Sequence, residues 1–497
     1  MRLVFAYFCA ICESSAYKVI SKAMNHRVAL YFMLILVSSA GMFHAAISYL
    51  PSSFAMYTNT IAIAAFMDWT SGIGTAQGLF WLSVGTIVGW PFVGALAIPY
   101  VFEELVMCYF TEDIMGSAGR LFQGTCGALV VLAIEGMVDY FFYHQIVIYP
   151  YQLAWYNIFG GSGKGPNIFG TEPWHYYLRN LLINFNLWFV LACAVAPLIF
   201  LQRWLTGQAS SRLPFFRTLV TISPFYLWLA IFTIQPHKEE RFMYPVYPFL
   251  ALNAALGLHI IVSILDPPPL QVRTKPQVQI AGGTAPKSTT ITGTTLLHNL
   301  TNLLLFSFLA LTTILNISRS LNLATSFSAP LSIYTALPPA SNLSILQPNL
   351  CLGKEWYRFP SSYHLPEGYR PKFIASDFHG LLPSAFSEVD TGFGFFPGAY
   401  LVPSGMNDEN KEDLGKLIDE QRCDFLIESW FASEGTSRLQ PDRVHDEKSW
   451  EKVKCEKFLD QGETGMLGRL FWTPDAKWVP GVFRRQWGEY CLLRRRE

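Results

Sequence analysis

The sequence predicts a mainly α-helical membrane protein with a soluble α/β domain at its C-terminus. Only 14% of the 497 residues are charged and 51% are hydrophobic, whereas about a quarter of an ordinary globular chain is charged. The charges are unevenly distributed: residues 1–321 hold 16 Lys/Arg and 12 Asp/Glu, and residues 322–497 hold 20 and 24. The apolar residues of the first part also form runs long enough to cross a bilayer. We therefore divide the chain into a polytopic body, 1–321, and a C-terminal domain, 322–497, in which runs such as Phe425-Leu426-Ile427 predict strands.

About ten membrane segments are predicted. A spanning helix needs about 20 apolar residues, because lipid cannot satisfy exposed peptide groups. Candidate runs lie near residues 2–19, 28–48, 54–67, 120–142, 180–201, 218–235, 242–265 and 296–318. The apolar stretch 76–107 is interrupted by Gly89-Trp90-Pro91. Proline removes a helical donor and clashes with the preceding turn, so this stretch predicts two short helices that meet at a turn.

The orientation follows from the basic loops, which normally face the cytoplasm. Three such loops lie around residues 18–27, 203–217 and 266–295, the last being a proline-containing linker. Segment 142–179, the turn at 236–241 and the C-terminal domain then lie on the opposite side. Oxidising conditions there permit disulfides among the four cysteines of this domain, although their spacing does not give the pairing. These are Cys351, Cys423, Cys455 and Cys491.

The charge balance limits the partners. There are 36 basic and 36 acidic residues, so the net charge is zero, without the basic excess that nucleic-acid binding requires. We therefore expect no nucleic-acid partner.

The most informative stretch is residues 235–242, which we call the HKEERF turn. It packs two cations, two anions and a histidine into five residues between two predicted spans. One interpretation is anchoring at the membrane interface, where such charges reach water and neutralise each other. The other is a site for a lipid phosphate, in which Arg and Lys donate to the phosphate while the carboxylates fix their rotamers. Arg241 suits this role better than Lys238, because its planar guanidinium can donate twice.

Two further groups are candidates for function. Glu172, Trp174, His175 and Tyr176 lie in an aromatic stretch before the span at 180, which indicates either an interfacial aromatic belt or a sugar site. Asp139 lies four residues after another acid, Glu135, inside a predicted span. Carboxylates in a membrane mark either functional sites or contacts between helices.

The stretch HKEERFMYPVYP (237–248) resembles the hallmark of the dolichol-phosphate-mannose-dependent mannosyltransferases of the endoplasmic reticulum, which have the GT-C fold. Further stretches make the chain similar to the α-1,2 branch, which adds the seventh and ninth mannoses to the lipid-linked precursor of N-glycans. These are LPSSFAMY (50–57), GWPF (89–92), GPNIFGTEPWHYYLRNLLINFN (165–186) and LGKEWYRFPSSYHLP (352–366). The GPI-anchor mannosyltransferases share HKEERF, whereas KEWYRFPSS separates this branch from them.

The resemblance implies a multi-pass protein of the endoplasmic reticulum membrane with a lumenal C-terminal domain. It implies dolichyl phosphate mannose as donor and a dolichol-linked oligosaccharide as acceptor, and no metal or other cofactor. The anomeric centre inverts in one displacement, which needs a general base and cations that stabilise the leaving phosphate. The residues that match as holders of the phosphate are His237, Lys238 and Arg241, supported by Glu239, Glu240 and Tyr244.

The resemblance also implies candidates for sugar or acceptor binding. They are Glu172, Trp174, His175 and Tyr176 in the body, and Trp356 and Arg358 in the C-terminal domain. For the last two, packing inside the domain would give the same pattern.

The family's presumed base is an acidic pair in its first lumenal loop, and no such stretch precedes the first predicted span here. We therefore expect the chain to lack that loop, the family's first span and full catalysis, with Glu172, Glu239 or Asp139 as weak substitutes for the base. A catalytically dead scaffold that retains binding of lipid-linked sugars remains an alternative. A transporter would show inverted repeats, and the sequence contains no internal repeat.

Overall fold

The computed structural model describes residues 2–68, 74–160, 164–206, 212–266, 292–343, 347–385 and 403–496. These residues form two compact units, the first from Met1–Glu135 with Glu172–Asn316 and the second from Gly136–Thr171 with Ile317–Glu497. The two units are defined by the contacts within each of them, whereas the predicted division at residue 321 was based on the density of charged residues. The structure therefore does not test that division, which stays a prediction. Most of the predicted linker 266–295 lies outside the described residues.

The described chain is mainly helical, and the predicted fold class is confirmed. The longer helices are Arg2–Ala23, His26–Ser38, Pro51–Met67, Gly74–Val84, Ile98–Thr111, Ile114–Tyr143, Tyr149–Phe159, Tyr176–Phe185, Leu187–Thr206, Arg212–Ile234, Tyr247–Leu265 and Thr292–Ser326. Shorter helical turns in the first unit are Ala40–Ala45, Gly85–Gly89, Pro91–Ala97 and Glu240–Val246. Those in the second unit are Pro166–Phe169, Ala329–Ser332, Ile333–Ala336, Ala340–Asn342, Lys354–Arg358, Ser362–His364, Leu414–Lys416, Glu420–Arg422, Met466–Leu470 and Gly481–Phe483.

Seven helices in the described part of the chain are long and apolar enough to cross a membrane. They are Arg2–Ala23, Pro91–Thr111, Ile114–Tyr143, Leu187–Thr206, Leu213–Ile234, Glu240–Leu265 and Leu296–Ser326. The other predicted segments are helices that end early. The run 28–48 is divided where Ser39 adopts an extended backbone, and the predicted break at Gly89-Trp90-Pro91 falls at Trp90, which is also extended. The chain is a multi-pass membrane protein.

Helix Tyr247–Leu265 forms the centre of the first unit. It is buried on all sides along most of its length, as expected for a helix that is apolar all round. Pro248 lies in its first turn, where a missing backbone donor costs nothing. The 3-10 turn Glu240–Val246 leads directly into this helix, so the end of the HKEERF turn is held by the most deeply buried element of the unit.

The second unit contains a mixed five-stranded sheet. Its strands are β1 (Asn349–Leu352), β2 (Arg370–Phe373), β3 (Phe425–Trp430), β4 (Trp450–Leu459) and β5 (Trp487–Arg495). Their order is β2-β1-β3-β5-β4, with β1 parallel to β2 and β3, and β5 antiparallel to β3 and β4. The strand predicted at Phe425-Leu426-Ile427 is the central one, and it is buried on both faces, which explains its continuous apolar run.

Two disulfides fix the pairing that spacing could not give. Cys351 on β1 is bonded to Cys423, and Cys455 on β4 to Cys491, its direct partner on β5. The first bond closes the longer loop, with a sequence separation of 72 residues. Both bonds join segments of one sheet, so they restrict the unfolded chain of this domain.

Removing the Cys351–Cys423 bond should lower the free energy of unfolding of this domain by about 4 kcal/mol, because the bond closes a long loop in the unfolded chain. The test is denaturant unfolding of the full chain carrying Cys351→Ala and Cys423→Ala, compared with the parent with and without reductant. Cys193→Ala, at a free cysteine, is the matched control. Equal unfolding midpoints for the oxidised and reduced parent would contradict the prediction.

A buried ionic cluster lies beside β3. Glu428 is held by Arg443 (Oε2 to Nη1 3.1 Å), and Lys354 lies 3.9 Å from its other oxygen. Glu355, which is fully buried, binds Arg358 at 2.7 Å and accepts a hydrogen bond of 2.6 Å from Ser429. Burial raises the pKa of Glu428 to about 7, and the nearby cations Lys354 and Arg443 only partly oppose this effect. The folded domain therefore holds this proton more tightly than the unfolded chain does.

The stability of this domain should consequently fall as the pH rises from about 4.5 to about 7, by up to ~3 kcal/mol, since one pKa unit corresponds to about 1.4 kcal/mol. Below this window both states are protonated, and above it both are ionised. The measurement is the unfolding free energy of the full chain at pH 5 and pH 7.5. Glu428→Gln should flatten this difference, whereas Glu447→Gln, at an exposed acid, should leave it unchanged. A pH difference that survives Glu428→Gln would show that another group is responsible.

Candidate functional site

The HKEERF turn begins after helix Arg212–Ile234, and its last three residues form the start of the 3-10 turn Glu240–Val246. Its backbone is tied to the aromatic stretch before helix Tyr176–Phe185. The N–H of Glu172 donates to the carbonyl of Pro236 at 2.9 Å, and the hydroxyl of Tyr177 donates to the carbonyl of Glu239 at 3.2 Å. The two candidate regions that the sequence singled out in the body therefore lie side by side.

Arg241 and His237 share one carboxylate. Glu239 accepts from Arg241 through both oxygens, with Nη2 at 2.9 Å from Oε1 and Nε at 2.6 Å from Oε2. His237 Nε2 lies 3.2 Å from Oε1 of the same carboxylate. Burial works to raise the pKa of Glu239, but the hydrogen bonds from Arg241 and His237 outweigh it and lower the pKa. Glu239 therefore stays ionised and fixes the guanidinium, whose remaining N–H donors are available because Arg241 is exposed.

Lys238 points in a different direction from Arg241. Its side chain is buried, and its Nζ donates to the carbonyl of Glu172 at 3.0 Å and to that of Gln235. Burial lowers the pKa of the Lys238 ammonium, and the Glu172 carboxylate opposes this. Lys238 thus links the segment of Glu172 to the start of the HKEERF turn, and its ammonium is not exposed in the way that Arg241 is.

The sequence predicted that both carboxylates of the turn fix its cations, whereas the contacts of Glu240 described here are with residues outside the turn. Oε1 of Glu240 lies 2.6 Å from Nε2 of His44 and 3.1 Å from Nδ2 of Asn184. Its Oε2 accepts from Nδ2 of Asn180 at 2.9 Å. The backbone changes between these two neighbours, because Glu239 is extended and Glu240 begins the 3-10 turn, and their carboxylates bind different partners. Glu240 therefore joins the turn to helix Tyr176–Phe185 and to the segment of His44.

His44 is a residue that sequence reasoning missed. It lies in an apolar run, 196 residues before Glu240, and nothing in its local pattern distinguishes it. The ring of the predicted supporting residue Tyr244 lies 5.7 Å from the ring of His44, and Tyr244 is buried. Tyr244 therefore packs beneath the turn, as a supporting role requires.

Aromatic side chains form the floor of the turn. Trp90, from the predicted break, stacks on Phe242 at 4.9 Å between ring centroids and lies 5.4 Å from Phe232. The indole N–H of Trp228 donates to the carbonyl of Phe242 at 2.9 Å. Asn59 of helix Pro51–Met67 donates to the carbonyl of Pro245 at 3.0 Å. The motifs at 50–57 and 89–92, and the part of the motif 165–186 from Glu172 onward, thus belong to elements that converge on the HKEERF turn.

The predicted sugar-site residues of the first unit differ in exposure. Trp174 is 64% exposed, and the side chain of Glu172 is also exposed, although its backbone is fixed by Lys238 and Pro236. His175 and Tyr176 are half-buried. Burial raises the pKa of Tyr176, and the Glu240, Glu172 and Glu239 carboxylates add to this effect. These residues form an open face beside the turn, and their sugar contact stays a prediction.

The remaining candidates belong to the second unit. Asp139 lies in helix Ile114–Tyr143, and the structure gives it no polar contact among the described residues. Trp356 packs on Phe378 at 4.5 Å. The guanidinium of Arg358 binds Glu355 and lies 5.0 Å from the ring centroid of Phe458. Arg358 is thus engaged in domain packing, the alternative that the sequence left open, and acceptor contact by Trp356 and Arg358 stays a prediction.

One group of side chains in the described ranges has the proximity that a metal ion requires. Cys455, Glu489 and Cys491 place their ligand atoms within 4.8 Å of one another. Both cysteines form a disulfide, so they are not available as thiolate ligands.

Comparison with known proteins decides the family. The model of the Alg9-like mannosyltransferase family matches residues 1–366. The chain belongs to this family. The alpha-1,2-mannosyltransferase alg9 of Schizosaccharomyces pombe is 35% identical over 99% of this chain and 80% of its own length. The alpha-1,2-mannosyltransferase ALG9 of Homo sapiens is 33% identical over 95% of this chain and 72% of its own length.

A more distant match is the crystal structure of ArnT from Cupriavidus metallidurans bound to undecaprenyl phosphate, with a TM-score of 0.46 and 12% identity over 76% of this chain and 72% of that one. Membership in the Alg9-like family confirms the predicted class of activity, which is mannosyl transfer. Relatives that match nearly the whole chain carry α-1,2-mannosyltransferase names. These matches do not favour the two alternatives, a GPI-anchor mannosyltransferase and a catalytically dead scaffold.

Proposed function

We propose that this chain transfers mannose from dolichyl phosphate mannose to the dolichol-linked precursor of N-glycans, in α-1,2 linkage and at the positions of the seventh and ninth mannoses. The reaction takes place at the lumenal face of the endoplasmic reticulum membrane. The observation that carries the proposal is the guanidinium of Arg241, held together with the ring of His237 on the carboxylate of Glu239 at the end of a span.

The arrangement suits the departure of a lipid phosphate. As the bond between the anomeric carbon and the phosphate oxygen breaks, negative charge grows on the leaving phosphate. The guanidinium of Arg241, already oriented by Glu239, can donate to two phosphate oxygens without further ordering. The ring of His237, held on the same carboxylate, lies beside the guanidinium. The guanidinium supplies the positive charge, so the proposed reaction requires no metal.

Lys238 and Glu240 position this pair. Lys238 ties the turn to Glu172, and Glu240 ties it to His44, Asn180 and Asn184. Among the predicted substitute bases, Asp139 belongs to the other unit and Glu239 is paired with Arg241. Glu172 therefore remains as the base, and its exposed carboxylate can reach an acceptor hydroxyl beside the donor.

The test uses the purified full chain, dolichyl phosphate mannose and a lipid-linked acceptor that lacks the seventh mannose. We expect one added hexose by mass spectrometry, sensitive to an α-1,2-specific mannosidase, with Glu172 acting as base; this result would refute the expectation that the chain lacks full catalysis. A product resistant to that enzyme, or transfer from a nucleotide-linked mannose alone, would refute the proposal. Glu172→Gln should abolish transfer if Glu172 is the base, and unchanged transfer would exclude it from that role.

The lumenal orientation can be tested by cysteine labelling in intact microsomes. Trp174→Cys, at an exposed position beside the turn, should react with an impermeant maleimide only after permeabilisation. Arg203→Cys, in a loop predicted to be cytoplasmic, should react without it, and both variants are made in a background that lacks the five free cysteines. Labelling of position 174 from the outside would end the lumenal assignment.

A further inference from the structure

An aromatic pocket in the second unit is formed by helix Tyr149–Phe159, Gly160, Lys164 and Asp408. Its volume of 370 Å³ falls within the size range of small-ligand pockets. All of these residues are described and belong to the same compact unit. None of them is used by the proposed transfer at the HKEERF turn.

One wall of the pocket is an aromatic row on the helix. Tyr151, Trp155 and Phe159 follow each other at intervals of four residues and therefore lie on one helix face. Their ring centroids are 5.8 Å and 4.7 Å apart, and all three are more than half exposed. Exposed aromatic faces of this kind can stack on the apolar face of a pyranose ring.

The other wall carries polar groups. Lys164 Nζ lies 2.9 Å from Oδ2 of Asp408, and the hydroxyl of Tyr156 donates to the Asp408 carbonyl at 2.9 Å. The hydrogen bond from Lys164 lowers the pKa of Asp408, so this carboxylate is ionised at neutral pH. Gln152 adds an amide with both donors and an acceptor. Vicinal hydroxyls of a hexose are the partners that such a set matches.

The composition of the pocket favours a neutral sugar over a membrane surface. Helices that lie on membranes usually carry Lys or Arg on their polar face, and Tyr149–Phe159 contains no charged residue. The positive charge of Lys164 is balanced by Asp408, which disfavours an anionic headgroup or a free phosphate.

We propose that this pocket binds one or two hexose units of a neutral oligosaccharide, and that this glycan is a branch of the mannose-rich acceptor. The second part rests on the proposed function, while the first part does not. The pocket would hold a part of the acceptor glycan other than the reacting sugar and would thereby contribute to acceptor recognition rather than to the chemical step.

Kinetics with the full chain test the role in acceptor recognition. Trp155→Ala and Asp408→Asn should each raise the KM for the lipid-linked acceptor about tenfold, the effect of losing one good contact, with the KM for the donor and kcat at saturating acceptor unchanged. Trp478→Ala and Glu447→Gln, at exposed residues of the same unit, are the matched controls. An unchanged acceptor KM in both pocket variants would overturn the proposal.

Binding of a free mannose oligosaccharide, measured by saturation-transfer NMR, tests the pocket without catalysis. The parent should bind, and Trp155→Ala should lose the signal while Trp478→Ala keeps it. If the parent transfers no mannose but still binds the free glycan through Trp155, the proposed function fails and the sugar site stands. If the pocket variants instead weaken binding to glycan-free liposomes and raise the KM of donor and acceptor equally, the helix is a membrane anchor and the sugar site is refuted.

Discussion

Arg241→Ala should lower kcat for mannose transfer by about 10²–10³-fold, the usual effect of removing one preorganised donor to a developing negative charge. The guanidinium is fixed by two contacts with Glu239 and is otherwise exposed. Its loss therefore removes charge stabilisation without opening a cavity. The measurement is the initial rate at saturating donor and acceptor, together with the melting temperature of the variant.

Two companion variants separate charge from geometry. Arg241→Lys keeps the charge but loses the planar fork, so it should recover only part of the rate. Glu239→Gln keeps an acceptor but removes the ion pair, and it should raise the KM for the donor more than it lowers kcat. Arg438→Ala, at an exposed arginine of the other unit, is the control. Parental activity in Arg241→Ala would contradict the assignment of the phosphate site to this turn.

Glu240→Ala should destabilise the first unit by about 3 kcal/mol, because three polar partners lose their acceptor at once. These partners are His44, Asn180 and Asn184. Asn184 is nearly fully buried, so water cannot easily replace the lost carboxylate. The variant should also lower the transfer rate, since the side-chain contacts of Asn180 and Asn184 that help to hold the HKEERF turn on helix Tyr176–Phe185 are then lost.

The isosteric change Glu240→Gln separates packing from hydrogen bonding. The glutamine carbonyl can still accept from His44 and Asn184, but its amide faces the donor of Asn180, so we expect a loss of about 1–2 kcal/mol. His44→Phe, combined with Glu240→Ala, should cost less than the sum of the two single changes, because the two residues are direct partners. Additive losses in this double-mutant cycle would show that the His44–Glu240 contact contributes nothing.

Several features were predictable because they depend on local composition. Apolar runs gave the spans, and the proline after Trp90 gave the break in 76–107, since both follow from backbone hydrogen bonding in lipid. The apolar run Phe425-Leu426-Ile427 gave the central strand. The HKEERF turn stands out by its clustered charges alone, because two cations and two anions rarely lie together between two apolar runs.

Other features could not be predicted because they depend on contacts between distant segments. Glu239 and Glu240 are neighbours in sequence, yet one orients Arg241 and the other binds His44, Asn180 and Asn184. Lys238, expected to face a phosphate, is buried and bonded to backbone carbonyls. The direction in which each side chain points depends on the backbone of the turn, which is extended at Glu239 and 3-10 from Glu240, and on the helices packed around it.

By itself, the sequence determined that the chain is a multi-pass helical protein with a C-terminal sheet domain, and it singled out the charged turn. Both follow from short stretches of sequence, because the gain from burying apolar residues and the cost of placing charges near a membrane depend on local composition. Only the tertiary structure decided which cation of the turn is exposed, which cysteines pair, and that Lys164 and Asp408 meet beside an aromatic helix. Those outcomes depend on which residues the folded backbone brings within a few ångströms of each other. Contacts between distant segments of this kind cannot be predicted from a short stretch of sequence.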